Sequence, residues 1–221
     1  MAYGIRVELE GRYALFTRPE LKVERLSYEV PTHSAARGIL EAIMWKPAIR
    51  YHIDRIYVMK PIRFENIRRN EVSLKASAGN AKGVMEVGEG KLYISTTDSR
   101  QQRAATVLKD VRYIIDAHFT MTDKAGAEDT PEKFYNMILR RLRLGQCFHQ
   151  PCFGVREFPA KFQLFEGEDE DIFRDYKGET RDLGLMLYEM DYSNIRNIRP
   201  TYVRAVLKDG VIDLQNCEVL R

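Results

Sequence analysis

Cysteine is scarce in this chain of 221 residues: Cys147, Cys152 and Cys217 are an odd number at irregular spacing. That excludes a disulfide framework and reads as buried or idle thiols in a reducing compartment. Long apolar runs are also missing. No stretch approaches the roughly 20 residues needed to cross a bilayer, so a membrane-inserted protein is excluded and no membrane partner is expected. The opening "MAYGIRVELEGRYALF" lacks the basic, apolar, small-residue order of a signal peptide, so a cytoplasmic location is expected. The P-loop, G-x-G-x-x-G, G-x-S-x-G and H-E-x-x-H motifs are absent, which leaves nucleotide hydrolysis and serine-hydrolase chemistry without support. "CFHQPC" combines thiols with an imidazole but contains no C-x₂-C pair, so neither a metal site nor a cofactor is expected. Charge of one sign is not in excess either, at a net +3.

That charge is unevenly spread. Arg18, Lys22 and Arg25 share one short loop, Arg68 and Arg69 another, and Arg140, Arg141 and Arg143 end a helix, while "EGEDEDIFRD" concentrates acid at 166–175. Residues 4–16 alternate, with Val7, Leu9, Tyr13 and Leu15 on one face and Arg6, Glu8, Glu10 and Arg12 on the other, as in a strand with one wet face. In "PTHSAARGILEAIMWKP", Thr32 or Ser34 is the N-cap, Ala36, Ile39, Leu40 and Ile43 recur at helical spacing, and Pro47 stops the helix. Alternation returns through Ile49, Tyr51, Ile53, Arg55 and Tyr57. The polar, glycine-studded stretch 68–103 then reads as a hairpin or mobile insertion with one strand at "KLYIST". "TPEKFYNMILRRLRLG" is the clearest helix, with Thr130 as cap, Pro131 at the first position and Gly145 at the end. Strands follow in "FGVREFPAKFQLFEG", "LGLMLYEMDY", "TYVRAVLKD" and "VIDLQNCEVL", the last two joined by a tight turn at Asp209-Gly210.

The order strand, helix, strand, excursion, strand, helix, strand is that of an α+β, ferredoxin-like (RRM-like) βαββαβ domain with a hairpin insertion, followed by a small C-terminal antiparallel β-sheet domain. The boundary is expected near Phe165: residues 1–165 form the first domain, with its insertion at about 64–105, and 166–221 form the second, with the acidic 166–182 segment as linker or exposed loop.

One strand raises a question of chemistry. In "VRYIIDAHFTM", Val111, Tyr113, Ile115, Ala117 and Phe119 share one face, and Arg112, Ile114, Asp116 and His118 the other. From spacing alone, His118 is either a surface histidine whose tautomer Asp116 fixes or a group with a chemical role. His33 and His52 are either ordinary or close enough to share a site with it. One compatible reaction is RNA cleavage by the RNA's own 2′-hydroxyl, in which the protein need only position a phosphate and move protons.

Five stretches together, "GRYALFTRPELKVERLSYEVPTHSAARGILEAIMWKP", "IDRIYVMKPI", "LKDVRYIIDAHF" and, more weakly, "FGVREFP" and "DLGLMLYEMDY", resemble the CRISPR-associated Cas5d proteins (Dvulg subtype, type I-C; RAMP superfamily). The resemblance implies a metal-independent endoribonuclease that cleaves the repeat hairpin of precursor CRISPR RNA and leaves a 2′,3′-cyclic phosphate. It implies that the protein then stays on the 5′ handle of the mature guide RNA, among the other subunits of an interference complex. The family's active-site histidine falls on His118. Two further family positions, a tyrosine immediately before W-K-P and a lysine beside the A-H-F histidine, are Met44 and Asp116 in this chain. Tyr28, Tyr51, Lys46 and Lys75 are the candidates to take over, so the catalytic set expected is His118, Tyr28 and Lys46. Arg18, Lys22, Arg25, Arg37, Trp45 and Lys75 offer cations and a stacking face for RNA. The alternative is a non-catalytic structural subunit of the complex that binds RNA, and double-stranded DNA through the same basic surface.

Overall fold

A computed structural model of the chain describes residues 3–220 except 22, 169, 171, 173, 174 and 216. Thirteen elements follow in order: β1 (Tyr3–Ala14), β2 (Arg25–Leu26), α1 (His33–Ile43), β3 (Ile49–Val58), β4 (Phe64–Val72), α2 (Ala78–Val87), β5 (Arg100–Met121), α3 (Pro131–Leu144), β6 (Lys161–Leu164), β7 (Thr180–Asp191), β8 (Arg199–Lys208), β9 (Val211–Asp213) and β10 (Val219–Leu220). Among them, no helix is long and apolar enough to cross a membrane.

The chain is mixed α/β, with an antiparallel sheet whose main path runs β10-β8-β9-β3-β5-β1-β6. At its centre β5 pairs antiparallel with β1 on one side and β3 on the other, and β6 adds to β1. The even-spaced apolar residues of these strands fix which face is dry. Ile5, Val7, Leu9, Tyr113, Ile115, Ala117 and Phe119 join Ile39, Leu40 and Ile43 of α1 and Phe134, Ile138 and Leu142 of α3 in one core.

The helix ends use the residues the sequence offers. Thr32 caps α1 by accepting from the Ala35 amide at 3.1 Å, and Thr130 caps α3 by accepting from Lys133 N at 3.2 Å. Gly145 closes α3 in the left-handed conformation, φ 62°. The "CFHQPC" segment has a structural use. The Phe148 and His149 amides donate to the Ala42 carbonyl at 3.1 and 2.9 Å, and Arg141 Nη1 donates to Ile43 O at 2.6 Å, so open carbonyls at the end of α1 find partners.

Three expectations need correction. "KLYIST" forms no strand; the excursion instead contains β4, which pairs with the first part of β5, and helix α2, capped by Ser77 and closed by Gly88. Two glycines within it hid the helix, and it buries none of its own residues. The alternation in the second long strand also breaks. A β-bulge between Ile53 and Arg55 turns Arg55 and Tyr57 away from the face of Ile53, and Ile56 takes over inward. Finally, the acidic segment is not all exposed loop: Ile172 is buried and β7 already begins at Thr180. The Asp209-Gly210 turn is as read, with φ of 50° and 75°.

Candidate functional site

Opposite the helices, the sheet presents a face whose polar residues are arranged in zones. At one end Tyr57, Met59, Ile114 and Ile172 form a small second apolar cluster, with Phe165 and Val211 packed against it. In the middle, Arg6 holds Asp116 through two contacts, Nε to Oδ1 at 2.6 Å and Nη2 to Oδ2 at 2.9 Å, and the Tyr57 hydroxyl donates to the same carboxylate at 3.0 Å. At the other end stand His118, His52 and Thr120.

Strand register builds that last group. His118 of β5 lies directly opposite His52 of β3, and on its other side opposite Gly4 of β1. The two imidazoles stack with centroids 4.9 Å apart and planes 16° from parallel. The bulge that interrupts β3 sets Asp54 toward this face, where both its carboxylate oxygens lie 2.9 Å from His118 Nδ1. Asp54 therefore occupies the role that sequence spacing gave to Asp116, and Asp116 is bound by Arg6 and Tyr57 instead. The slip was visible in the sequence: the apolar positions step from Ile53 to Ile56, three residues rather than two. His52 Nε2 lies 2.9 Å from Thr120 Oγ1.

Each imidazole thus has one nitrogen engaged by the protein. His118 keeps 26% of its side chain exposed, and a side chain at Gly4 would meet nothing within 4 Å, so the notch beside His118 is open. His52 is held below the ordinary histidine value of 6.5, first by burial and then by the charges of His118 and Arg50, against the opposing pull of Asp54. It is a neutral imidazole with proton-accepting capacity at neutral pH. His33 is elsewhere: it is buried, stacks on Tyr188 at 3.9 Å and approaches Glu189 at 3.2 Å.

The other expected site residues are dispersed. Tyr28 and Tyr51 are buried in the helix-side core, where burial pushes both phenols up, and Tyr51 donates to Met44 O at 2.9 Å. Met44 is itself fully buried. Lys46 and Trp45 are exposed on the turn between α1 and β3, Trp45 by 56%. That turn is tied to the end of β5 by Thr122, whose amide donates to Ala48 O at 2.9 Å and whose hydroxyl donates to Pro47 O at 2.6 Å. Thr122 is four residues beyond His118, roughly 13 Å along an extended strand. Arg18 lies over the Tyr28 ring and pairs with Glu29 at 2.8 Å, Arg25 pairs with Glu71 at 3.3 Å, and Arg37 pairs with Glu189 at 2.8 Å. Lys75 is exposed between β4 and α2. Lys22 lies outside the described residues.

The family model described as "CRISPR-associated protein (Cas_Cas5)", Cas5d type, matches residues 4–215. A protein of Mannheimia succiniciproducens named CRISPR pre-crRNA endoribonuclease Cas5d is 53% identical over 217 residues, covering 97% of this chain and 96% of that one. A protein of the same name from Thermus thermophilus is 42% identical over 188 residues, 85% of this chain and 73% of its own. In fold, the chain is similar to the crystal structure of a CRISPR-associated protein, with a TM-score of 0.71, 24% identity and coverage of 99% and 96%. A chain of a CRISPR RNA-guided surveillance complex gives a TM-score of 0.51 at 12% identity, with coverage of 98% and 89%. The match along nearly the whole length, at more than half identity to one relative, means that this chain belongs to the Cas5d family of CRISPR-associated proteins.

Proposed function

We propose that this protein is a metal-independent endoribonuclease that cuts the repeat hairpin of precursor CRISPR RNA by attack of the RNA's own 2′-hydroxyl. The relatives' name supports the reaction class. The observation that carries the assignment to a site is His118, oriented through Nδ1 by Asp54 and facing an open notch. A carboxylate on Nδ1 selects the tautomer with that proton, leaving Nε2 to meet a reacting oxygen, and gives the imidazolium form a counter-charge. The nucleophile belongs to the substrate, so proton transfer and phosphate positioning are what the protein must add.

The strand order β3-β5-β1-β6, antiparallel throughout and interleaved with α1 and α3, favours the ferredoxin-like reading. Within it we divide the chain near residue 165, with β7 to β10 as the C-terminal part. Trp45 and Lys46, near the histidine end of the sheet, are the first candidates for RNA contact, and Lys75 for a more distant one. After cleavage the protein stays on the 5′ handle, in a complex of the kind named for the chain of similar fold.

Two features favour a second reading, a structural guide-RNA subunit that also touches duplex DNA and does not cut. Met44 carries no proton to give, and Asp116 sets negative charge in the middle of the polar face. Purified protein incubated in EDTA with a labelled repeat hairpin from its own array separates the two. Cleavage by the wild type, lost in His118→Ala while binding persists, is the expected result. Binding by both with cleavage by neither would establish the structural subunit.

A further inference from the structure

We propose that His52 is the second proton-transfer group of this site and that Asp54 is the positioning residue that fixes His118 for its part. The inference rests on the ribonuclease reading and adds what that reading leaves open. In-line displacement at phosphorus needs a proton acceptor for the attacking oxygen and a proton donor for the leaving one, and a single histidine cannot be both in one step.

The register supplies two. His52 and His118 sit opposite each other on β3 and β5 with nearly parallel rings 4.9 Å apart. The protein engages a different nitrogen of each: Nε2 of His52 is at Thr120 Oγ1, and Nδ1 of His118 is at Asp54. With Nε2–H donating to Thr120, His52 keeps a lone pair on Nδ1; with Nδ1–H donating to Asp54, His118 works through Nε2. Charge separates the roles further. Burial and the charges of His118 from β5, Arg50 from its own strand and, at longer range, His33 from α1 hold His52 below the ordinary histidine value, against the opposing charge of Asp54. Asp54 confronts His118 directly, with both carboxylate oxygens 2.9 Å from Nδ1.

In the reaction, the 2′-oxygen loses its proton to Nδ1 of His52 as it bonds to phosphorus. The bond from phosphorus to the 5′-oxygen breaks, and that oxygen takes the proton from Nε2 of His118. The products are a 2′,3′-cyclic phosphate and a 5′-hydroxyl. No oxidation occurs, and water returns the proton from His52 to His118.

The test is single-turnover cleavage of the repeat hairpin from pH 5 to 9 by the wild type, His52→Gln, His52→Ala, His118→Ala and Asp54→Asn, with binding and thermal unfolding measured on each. His52→Gln should lower the rate by roughly 10²–10⁴-fold, the range for a general base, leave hairpin affinity unchanged and abolish the fall in rate on the acid side, which in the wild type lies below the ordinary histidine range. Added imidazole should restore part of the rate to His52→Ala, which a packing role would not allow. Asp54→Asn should slow cleavage and shift the ¹⁵N signals of His118 toward the other tautomer. A folded His52→Gln with wild-type rate and pH profile, beside an inactive His118→Ala, would overturn this assignment and leave the ribonuclease reading standing. A wild type that binds without cutting would overturn both.

Discussion

At the scale of single residues, the candidate RNA contacts differ in what they have to offer. Arg18, Arg25 and Arg37 already face Glu29, Glu71 and Glu189, so a phosphate would have to displace a carboxylate to reach them. Trp45 carries no such cost, since its ring is more than half exposed on a turn pinned to β5. Trp45→Ala is expected to weaken hairpin binding by about 1–3 kcal/mol, the usual worth of a base stacked on an aromatic ring. Because stacking releases no counterions, the slope of affinity against salt should stay the same. Arg25→Ala, by contrast, should change affinity little. Fluorescence anisotropy on a labelled hairpin at several salt concentrations reads both quantities.

At the scale of elements, much depends on one turn after α3. Phe153 is fully buried, its carbonyl accepts from the Leu15 amide at 3.0 Å, and Gly154 follows with φ of 83°. A Cβ at Gly154 would lie 1.9 Å from the Leu15 carbonyl oxygen, against backbone that cannot swing away. Gly154→Ala combines a positive φ with that overlap and is expected to cost about 2 kcal/mol or more, seen as a lower midpoint in urea unfolding. Elements of this chain were legible in sequence to different degrees, for local reasons. Helix α3 displays its Thr130 cap, Pro131 and Gly145 in plain order, and apolar and charged residues alternate from Ile5 to Glu10 in β1. Helix α2 buries nothing, so no apolar period betrays it. His118 stands out through family resemblance, and alternation places it on the polar face of the sheet, where the structure has it. Asp54 was not found, because an uninterrupted period of two carries the eye past the bulge that turns it toward the imidazole.

Across the whole molecule, Glu189 of β7 joins the C-terminal strands to the rest. It meets Arg37 and His33 of α1 and Arg50 of β3 at 2.8, 3.2 and 3.5 Å. Burial would raise its pKa, but His33, Arg37 and Arg50 outweigh burial and hold it below the ordinary value of 4.5. A carboxyl depressed in the folded state contributes stability above its unfolded pKa and loses it as pH falls through the folded value. Stability should therefore drop as the pH goes below 4.5, and Glu189→Gln should flatten that drop while lowering the melting temperature at pH 7. Glu41, raised by its own burial, works in the opposite direction and remains in the variant. Calorimetry across pH 3–7 on both proteins checks the sign.

The central strand β5 has 22 residues, roughly 70 Å when extended. Its first part belongs to the excursion through β4 and its last part carries His118, with pairing on both sides along much of its length. Unless a bulge like that of β3 takes it up, a single-residue gain or loss between the two ends would turn His118 into the core and Phe119 out to water. Short of such a bulge its length changes by even steps, so the distance from the excursion to the histidine pair is inherited as a counted quantity, like teeth on a rack.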